Sequence, residues 1–435
     1  MNRPVSGAAA TALAPAPARR GLRRLTAIRT FQPLEHDGFR ILWLGLLTVY
    51  LAMQAAVVAR GYLAFHLSGS AGVLGLVMLA RGAPQFLLSP LGGVIADRTD
   101  KRRMLMGTQL AMSAMALVTA ALWFTGHIAV WHLIVISVVE GAVWVFNIPA
   151  RQAFVPELVG EKDLMGAIAL NSAGFNVARI MGPAVAGMLI AAPWFGIGGV
   201  FLLVAAGYGA FVLSLRRLPS GRPRAVRGHA TGSVLTQLRG GFAYIGRDRG
   251  VRLLMLMGIV PIIFGMSYQN LLPVFQERVL NVGPRELGLL YSGAGIGALC
   301  GALAVASLVA MRRKDVVQIC CGVTFGLALA LFANMPAFLP AVLVIALVGG
   351  AGNMFTAMNN SMIMTATDRA YHGRVISIYE MIWSSMLFAS WPIGVLVDRV
   401  TAPVTLTAFG LLVALAVLAL SPARLRVRSR AAGAP

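Results

Sequence analysis

Charge is what this chain has least of. Only 12% of its 435 residues are charged, and only 15 of them are acidic. A soluble domain carries about 25%. With 58% of residues hydrophobic, the chain cannot hide its apolar surface in a water-soluble globule. Cysteine is scarce as well. Cys300, Cys320 and Cys321 all fall inside apolar stretches. Their spacing excludes a disulfide framework and a metal-ligand set, so no metal is expected. They read as small apolar packing groups. Lysine is nearly absent, since Lys101, Lys162 and Lys314 are the only ones, which reads as a coding bias toward arginine. No glycine-rich loop of the phosphate-cradling type occurs, so neither ATP nor any other cofactor is expected, and the chain does not read as an enzyme. An apolar run near the N-terminus is lacking too. Residues 1–38 are rich in Ala, Pro and Arg, with no such run before Ile41, so no cleavable signal peptide is expected. The cluster Arg19, Arg20, Arg23, Arg24 reads as a cytoplasmic tail resting on anionic lipid, with a transit peptide as the alternative. The net charge of +22 raises nucleic acid as a partner. The basic residues lie in loops and tails beside apolar segments, which argues for membrane lipid and against nucleic acid.

What is present is a series of apolar spans. Twelve are read, at roughly 41–66, 71–96, 104–126, 131–150, 166–192, 196–215, 251–275, 287–311, 316–335, 338–366, 374–397 and 402–420. Each has about the 20 residues needed to cross a bilayer as a helix. Helix is the expected state, because the backbone must satisfy itself within each segment. With both termini inside, 31 Lys and Arg fall on the cytoplasmic side and 3 on the other (Arg278, Arg285, Arg399). That asymmetry sets the orientation and places the chain in the cell inner (plasma) membrane.

The spans repeat. Asp37-Gly-Phe-Arg40 opens the first and Arg249-Gly-Val-Arg252 the seventh, 212 positions on. Pro183 matches Pro392 and Phe146 matches Phe355, both 209 positions on. The expected organisation is a basic tail (1–38), a six-helix bundle (39–217), a cytoplasmic linker (218–250), a second six-helix bundle (251–420) and a basic tail (421–435). Within the linker, 216–227 reads as extended. Residues 232–247 read as an amphipathic surface helix, with an ordinary linker as the alternative.

Charges inside a membrane cost a few kcal/mol each, so each is a functional candidate. Arg60, Arg81, Glu140, Arg179 and Glu380 are the five. Helical rise puts Glu140 level with Arg179 and Arg81. A Glu140–Arg179 pair is expected, with Arg81 as second choice. It could be a structural clasp within the first half or a proton- or substrate-coupled switch. Glu380, near the inner mouth, is either a protonation site or a water-exposed vestibule residue.

Gly92 to Leu105 packs six charges into seven residues between two spans: Asp97, Arg98, Asp100, Lys101, Arg102 and Arg103. The stretch resembles the signature between helices 2 and 3 of the major facilitator superfamily. Gly93, Asp97, Arg98, Lys101 and Arg102 fall at matching positions, with Ile95 for leucine and Asp100 for glycine. The resemblance implies two pseudo-symmetric bundles of six transmembrane helices rocking about a central site. At the C-terminal end of its span Asp97 is disfavoured by its own helix dipole and needs a positive partner; the N-terminus of the eleventh span, near Arg374, would serve as a gate contact, so Asp97→Asn should weaken transport without abolishing insertion. Ala178 to Gly187, with Gly182, Pro183 and Gly187, resembles the antiporter motif that marks exporters. Generic tight packing is the other reading. Residues 149–187 resemble the branch holding enterobactin-type and macrolide exporters.

The remaining polar groups of the spans, Tyr50, Gln54, Asn147, Gln269, Asn353, Asn360, Tyr379 and Trp383, are expected to line the cavity. The function that follows is proton-coupled efflux of an amphipathic small molecule by a monomer. The alternatives are an importer or lysolipid flippase on the same fold, or a non-transporting sensor.

Overall fold

The computed structural model describes residues 29–220, 234–308, 313–369 and 371–432, apart from the side chains at 29, 90–94, 96–98, 234–235, 237 and 425–432. It is helical, with no strand among the described residues. We number the spans α1 (Asp37–Ser68), α2 (Ala71–Arg98), α3 (Lys101–Phe124), α4 (130–159), α5 (161–191) and α6 (Gly196–Leu215). After a linker helix at Val234–Arg247 come α7 (Arg249–Val279), α8 (Pro284–Leu308), α9 (Lys314–Ala333), α10 (Phe338–Ala366), α11 (His372–Val400) and α12 (Ala402–Ala432).

The stretch Val130–Ala191 is 62 residues long and helical apart from one residue. At 1.5 Å per residue that is about 93 Å, some three bilayer cores. Gly160 breaks it, with φ 71° and ψ 175°. This backbone conformation is close to glycine-only, so one long helix becomes two crossings. Nothing would touch a side chain at Gly160, so only backbone strain opposes one. Gly160→Ala should therefore cost about 1–3 kcal/mol, read as a lowered melting midpoint in detergent. Among the described residues eleven helices are long and apolar enough to cross a membrane, and dividing the 62-residue one at Gly160 gives the expected dozen.

No hydrophobic force drives helices together in lipid, so close backbone contact and buried polar clasps must do it. Both halves use the same devices at equivalent places. A methyl on Gly141 of α4 would sit 2.0 Å from the Arg81 carbonyl oxygen of α2. One on Gly349 of α10 would sit 2.1 Å from that of Ala294 in α8. Asn147 donates to Thr108 across α4 and α3 at 3.1 Å. In the second half Gln318 donates to Asn359, 212 positions after Asn147, across α9 and α10 at 2.7 Å. The sequence repeat is thus a repeat of packing.

Two prolines, Pro261 and Pro273, lie in α7. Around Pro261 and Phe275 the helix widens to π turns, Met266 N–H donating to Pro261 at 2.9 Å and Leu280 N–H to Phe275 at 2.9 Å. Proline lacks the donor a regular turn needs, and the ladder slips by one residue to compensate. The linker helix docks on the second half. Tyr244 stacks on Tyr371 at 4.4 Å, its hydroxyl accepts from Asp368 N–H at 3.1 Å, and Gly240 and Gly241 lie against Arg374. The expected basic tail up to residue 28 and the extended stretch 221–227 lie outside the described residues, as do the side chains of Arg426, Arg428 and Arg430.

Candidate functional site

Arg60 and Glu140 meet in the core of the first half, with an Nη2 to Oε1 distance of 2.5 Å. The residues are 4% and 6% exposed, so neither charge reaches water. Arg60 lies eight residues from the end of α1, about 12 Å deep. Glu140 lies ten residues into α4, about 15 Å deep from the same face. The expected partners of Glu140 were Arg179 and Arg81, and that is corrected here: Arg60 holds the carboxylate. The depth rule gives Arg60 a level similar to Arg179, so rise alone could not choose between them. What decides is which helix faces α4. Arg81 is a near neighbour, its guanidinium 5.9 Å from the Trp144 ring centroid and within electrostatic reach of Glu140. Tyr208 of α6, which carried no sequence signal, is the fourth member of the cluster. Arg179 lies instead at the boundary between halves, toward Tyr268 of α7.

The two halves are latched at one end. Asp398, near the end of α11, reaches across to the start of α2. It accepts from the Ser70 hydroxyl at 2.6 Å, Ala71 N–H at 3.0 Å and Gly72 N–H at 2.8 Å. Free N–H groups and the helix dipole make a helix start a natural seat for a carboxylate. Arg278 of α7 pairs with Asp398 at 3.0 Å and donates to the Gly69 carbonyl of the other half. Below the latch α2 and α11 run in backbone contact. A methyl on Gly75 would fall 2.2 Å from the Ser390 carbonyl oxygen, and one on Gly394 would fall 2.1 Å from that of Ala71. Gly182 and Gly187 of the antiporter-like motif serve contacts of the same kind. Gly182 lies against Gln54 of α1, and a methyl on Gly187 would sit 2.6 Å from Pro284 O of α8. The carbonyl of Pro183 lies against Gly288 of α8.

At the other end, which carries the basic loops, the ion pairs among the described residues stay within one half. Lys101, 1% exposed, pairs with Glu157 at 2.9 Å. Arg102 donates to the Arg216 carbonyl at 2.7 Å, and Arg424 meets Asp315 at 3.1 Å. Gly93, Asp97 and Arg98 lie in α2, but their side chains fall outside the described ones, so the expected Asp97 contact with α11 is not visible. Arg374, its expected neighbour, stacks over Tyr371 at 5.3 Å beside the linker helix. Glu380 is exposed and forms no ion pair among the described residues.

A cleft of about 690 Å³ opens among α1, α4 and α5 toward the basic end, lined by Tyr50, Arg151, Asn171 and Phe175 among others. Tyr50 is there as expected. Three other cavity candidates are corrected. Asn147 is buried against Thr108. Asn353 donates to the Ala298 carbonyl of α8 at 2.9 Å, and Tyr379 is buried beside Asn359. In a span, an amide that clasps a neighbouring helix looks in sequence like one that faces a cavity. Asn360 is exposed, while Gln54, Gln269 and Trp383 are half-buried. Among the described residues no cluster of potential metal ligands occurs.

The family described as "Transmembrane secretion effector" matches residues 28–435. Macrolide efflux protein A of Streptococcus pyogenes is 21% identical over 367 residues, 84% of this chain and 89% of its own. Multidrug efflux pump Tap of Mycolicibacterium fortuitum is 28% identical, covering 81% and 87%. Enterobactin exporter EntS of Shigella boydii is 25% identical, covering 79% and 81%. Among solved structures, the peptide transporter POT superposes with TM-score 0.73 at 12% identity, over 90% of this chain and 95% of that one. A bacterial homologue of the iron transporter ferroportin, in an inward-facing state, gives 0.68 at 16%, over 88% and 98%. These structures share the fold.

Proposed function

The chain belongs to the transmembrane secretion effector family of the major facilitator superfamily and is a multi-span membrane transporter; from that premise we propose that it is a proton-coupled exporter of amphipathic small molecules working by alternating access. The sensor alternative is set aside by the transporter relatives. Both termini face the cytoplasm of the inner membrane, as the arginine asymmetry argues. The cleft then opens inward and the Asp398 latch closes the outer face.

The observation that carries this reading is the pairing of a latched end with an open one. Asp398 bridges the halves at one face, while the cleft at Tyr50 is accessible from the other. A fixed site exposed to one side at a time is the geometry of rocking transporters. Glu140 supplies the coupling. Arg60 holds its carboxyl group while the outer face is shut. Opening that face hydrates the pair and lets a proton from outside compete with Arg60. Loss of the pair's attraction loosens the first half and favours return. Export of the substrate and entry of the proton then share one cycle. The relatives act on macrolides, drugs and enterobactin by their names, which supports an amphipathic substrate and the outward direction.

Inverted vesicles with an imposed pH gradient test this. Acid inside the vesicle should drive accumulation of an exported dye, and collapsing the gradient should abolish it. Glu140→Gln should remove the pH dependence, while Glu380→Gln should leave it in place. Accumulation driven in the opposite sense would indicate an importer. Movement of lysolipid alone would indicate a flippase.

A further inference from the structure

Among the described residues the cleft at the basic end is lined by one charged residue, Arg151, and by no carboxylate. Its volume of about 690 Å³ suits a drug-sized molecule. The Arg151 guanidinium lies 5.3 Å from the Tyr50 ring centroid and makes no ion pair among the described residues. Tyr50 in turn meets Phe175 edge to face at 5.6 Å. The side-chain oxygen of Asn171 is buried in the same wall without a hydrogen-bond partner among the described residues. Deeper in this half the balance has the same sign. Arg81 and Arg179 carry no ion pair among the described residues, and Glu140, the carboxylate at membrane depth beside them, is taken by Arg60.

An arginine in an open cleft is shielded by water. When rocking closes the cleft and expels that water, the bare cation becomes costly, and an anion arriving with the ligand offsets the cost. We propose that the cleft binds an organic anion, a small molecule whose anionic group meets Arg151 and whose apolar body lies against Phe175, Leu164 and Ile168. A hydroxyl or amide N–H on that molecule donates to Asn171. Arg151 is thus a specificity residue, because a cationic ligand of the same shape meets repulsion at the same point. The inference names a substrate class for the export reading, but ligand binding can be measured without transport.

Fluorescein, an anionic xanthene, and pyronin Y, a cationic one, are probes of similar shape. Their binding to the purified full chain in detergent is followed by fluorescence polarisation. Fluorescein should bind at least about tenfold tighter than pyronin. Arg151→Gln should weaken fluorescein by about tenfold to a hundredfold, the range for loss of one charge-assisted contact, and erase the preference. Arg151→Lys should keep part of it. Asn171→Asp, which leaves Arg151 intact, should shift the preference toward pyronin. Equal affinity for the two dyes, or fluorescein binding unchanged in Arg151→Gln, overturns the proposal. Reconstituted vesicles separate the two readings. Export of pyronin with no anion preference would sink the anion site and spare the exporter. Anion binding without gradient-driven movement would do the reverse.

Discussion

Removing either member of the Arg60–Glu140 pair is expected to destabilise the protein by about 3–5 kcal/mol and to cut transport about tenfold or more. The pair is almost sealed from water, so Arg60→Met strands a carboxylate and Glu140→Met strands two neighbouring guanidinium groups, those of Arg60 and Arg81. A stability loss alone would not separate a structural clasp from a coupling switch. The double variant Arg60→Met, Glu140→Met does. Paired apolar replacements of similar volume commonly restore or exceed the original stability, because no buried charge is left. Melting of the double variant should therefore return to within about 1 kcal/mol of the parent. Transport should stay lost, because nothing remains to take the proton. A double variant that melts normally and exports normally would reduce the pair to a clasp.

Much of this molecule was legible in the sequence, and for physical reasons. Span number follows from hydrocarbon thickness, and the expected orientation from arginine placement, both of which act on each segment separately. Partners across helices do not follow from one segment. Arg60, Arg81 and Arg179 are equivalent by depth, and only the azimuth of α4 selects Arg60. Asn147 and Asn353 failed as cavity residues for the same reason. Arg151 was in view as a cytoplasmic charge and within the 149–187 resemblance, not as a site residue, yet it lines the cleft because α4 extends past the expected end at 150 as far as Gly160. The latch, by contrast, had a signal that could have been read. α2 closes with Gly93-Val-Ile-Ala-Asp97-Arg98, and α11 with Gly394-Val-Leu-Val-Asp398-Arg399. The two helices run antiparallel, so hexapeptides that differ only at their third and fourth positions stand at opposite faces of the membrane.

Asp398→Ala is expected to open the latched face. The substitution removes one hydroxyl contact and two backbone N–H contacts between the halves, and it frees Arg278 from its ion pair. Hydrogen bonds to a charged group contribute about 1.5–3 kcal/mol each, so even one such loss moves the equilibrium between faces about tenfold or more. Ser390, 4% exposed where α11 touches Gly75, reports on it. A cysteine at Ser390, on a background lacking Cys300, Cys320 and Cys321, should react with an impermeant maleimide at least about tenfold faster in Asp398→Ala than in its parent. Transport should fall too, since a transporter that cannot shut one face cannot complete its cycle. Asp398→Asn should fall between, because an amide oxygen still accepts from Ser70 and the helix start but no longer attracts Arg278 or the dipole. We further expect Asp97→Asn to bias the protein the other way, toward the face latched by Asp398. The matching hexapeptide places Asp97 at the end of α2, where in the opposite state it would cap the start of α11 as Asp398 caps the start of α2. The combined variant should then restore a near-parental reaction rate at Ser390 while transport stays low. A rate at Ser390 unmoved by Asp398→Ala would mean that glycine contacts alone hold the face shut.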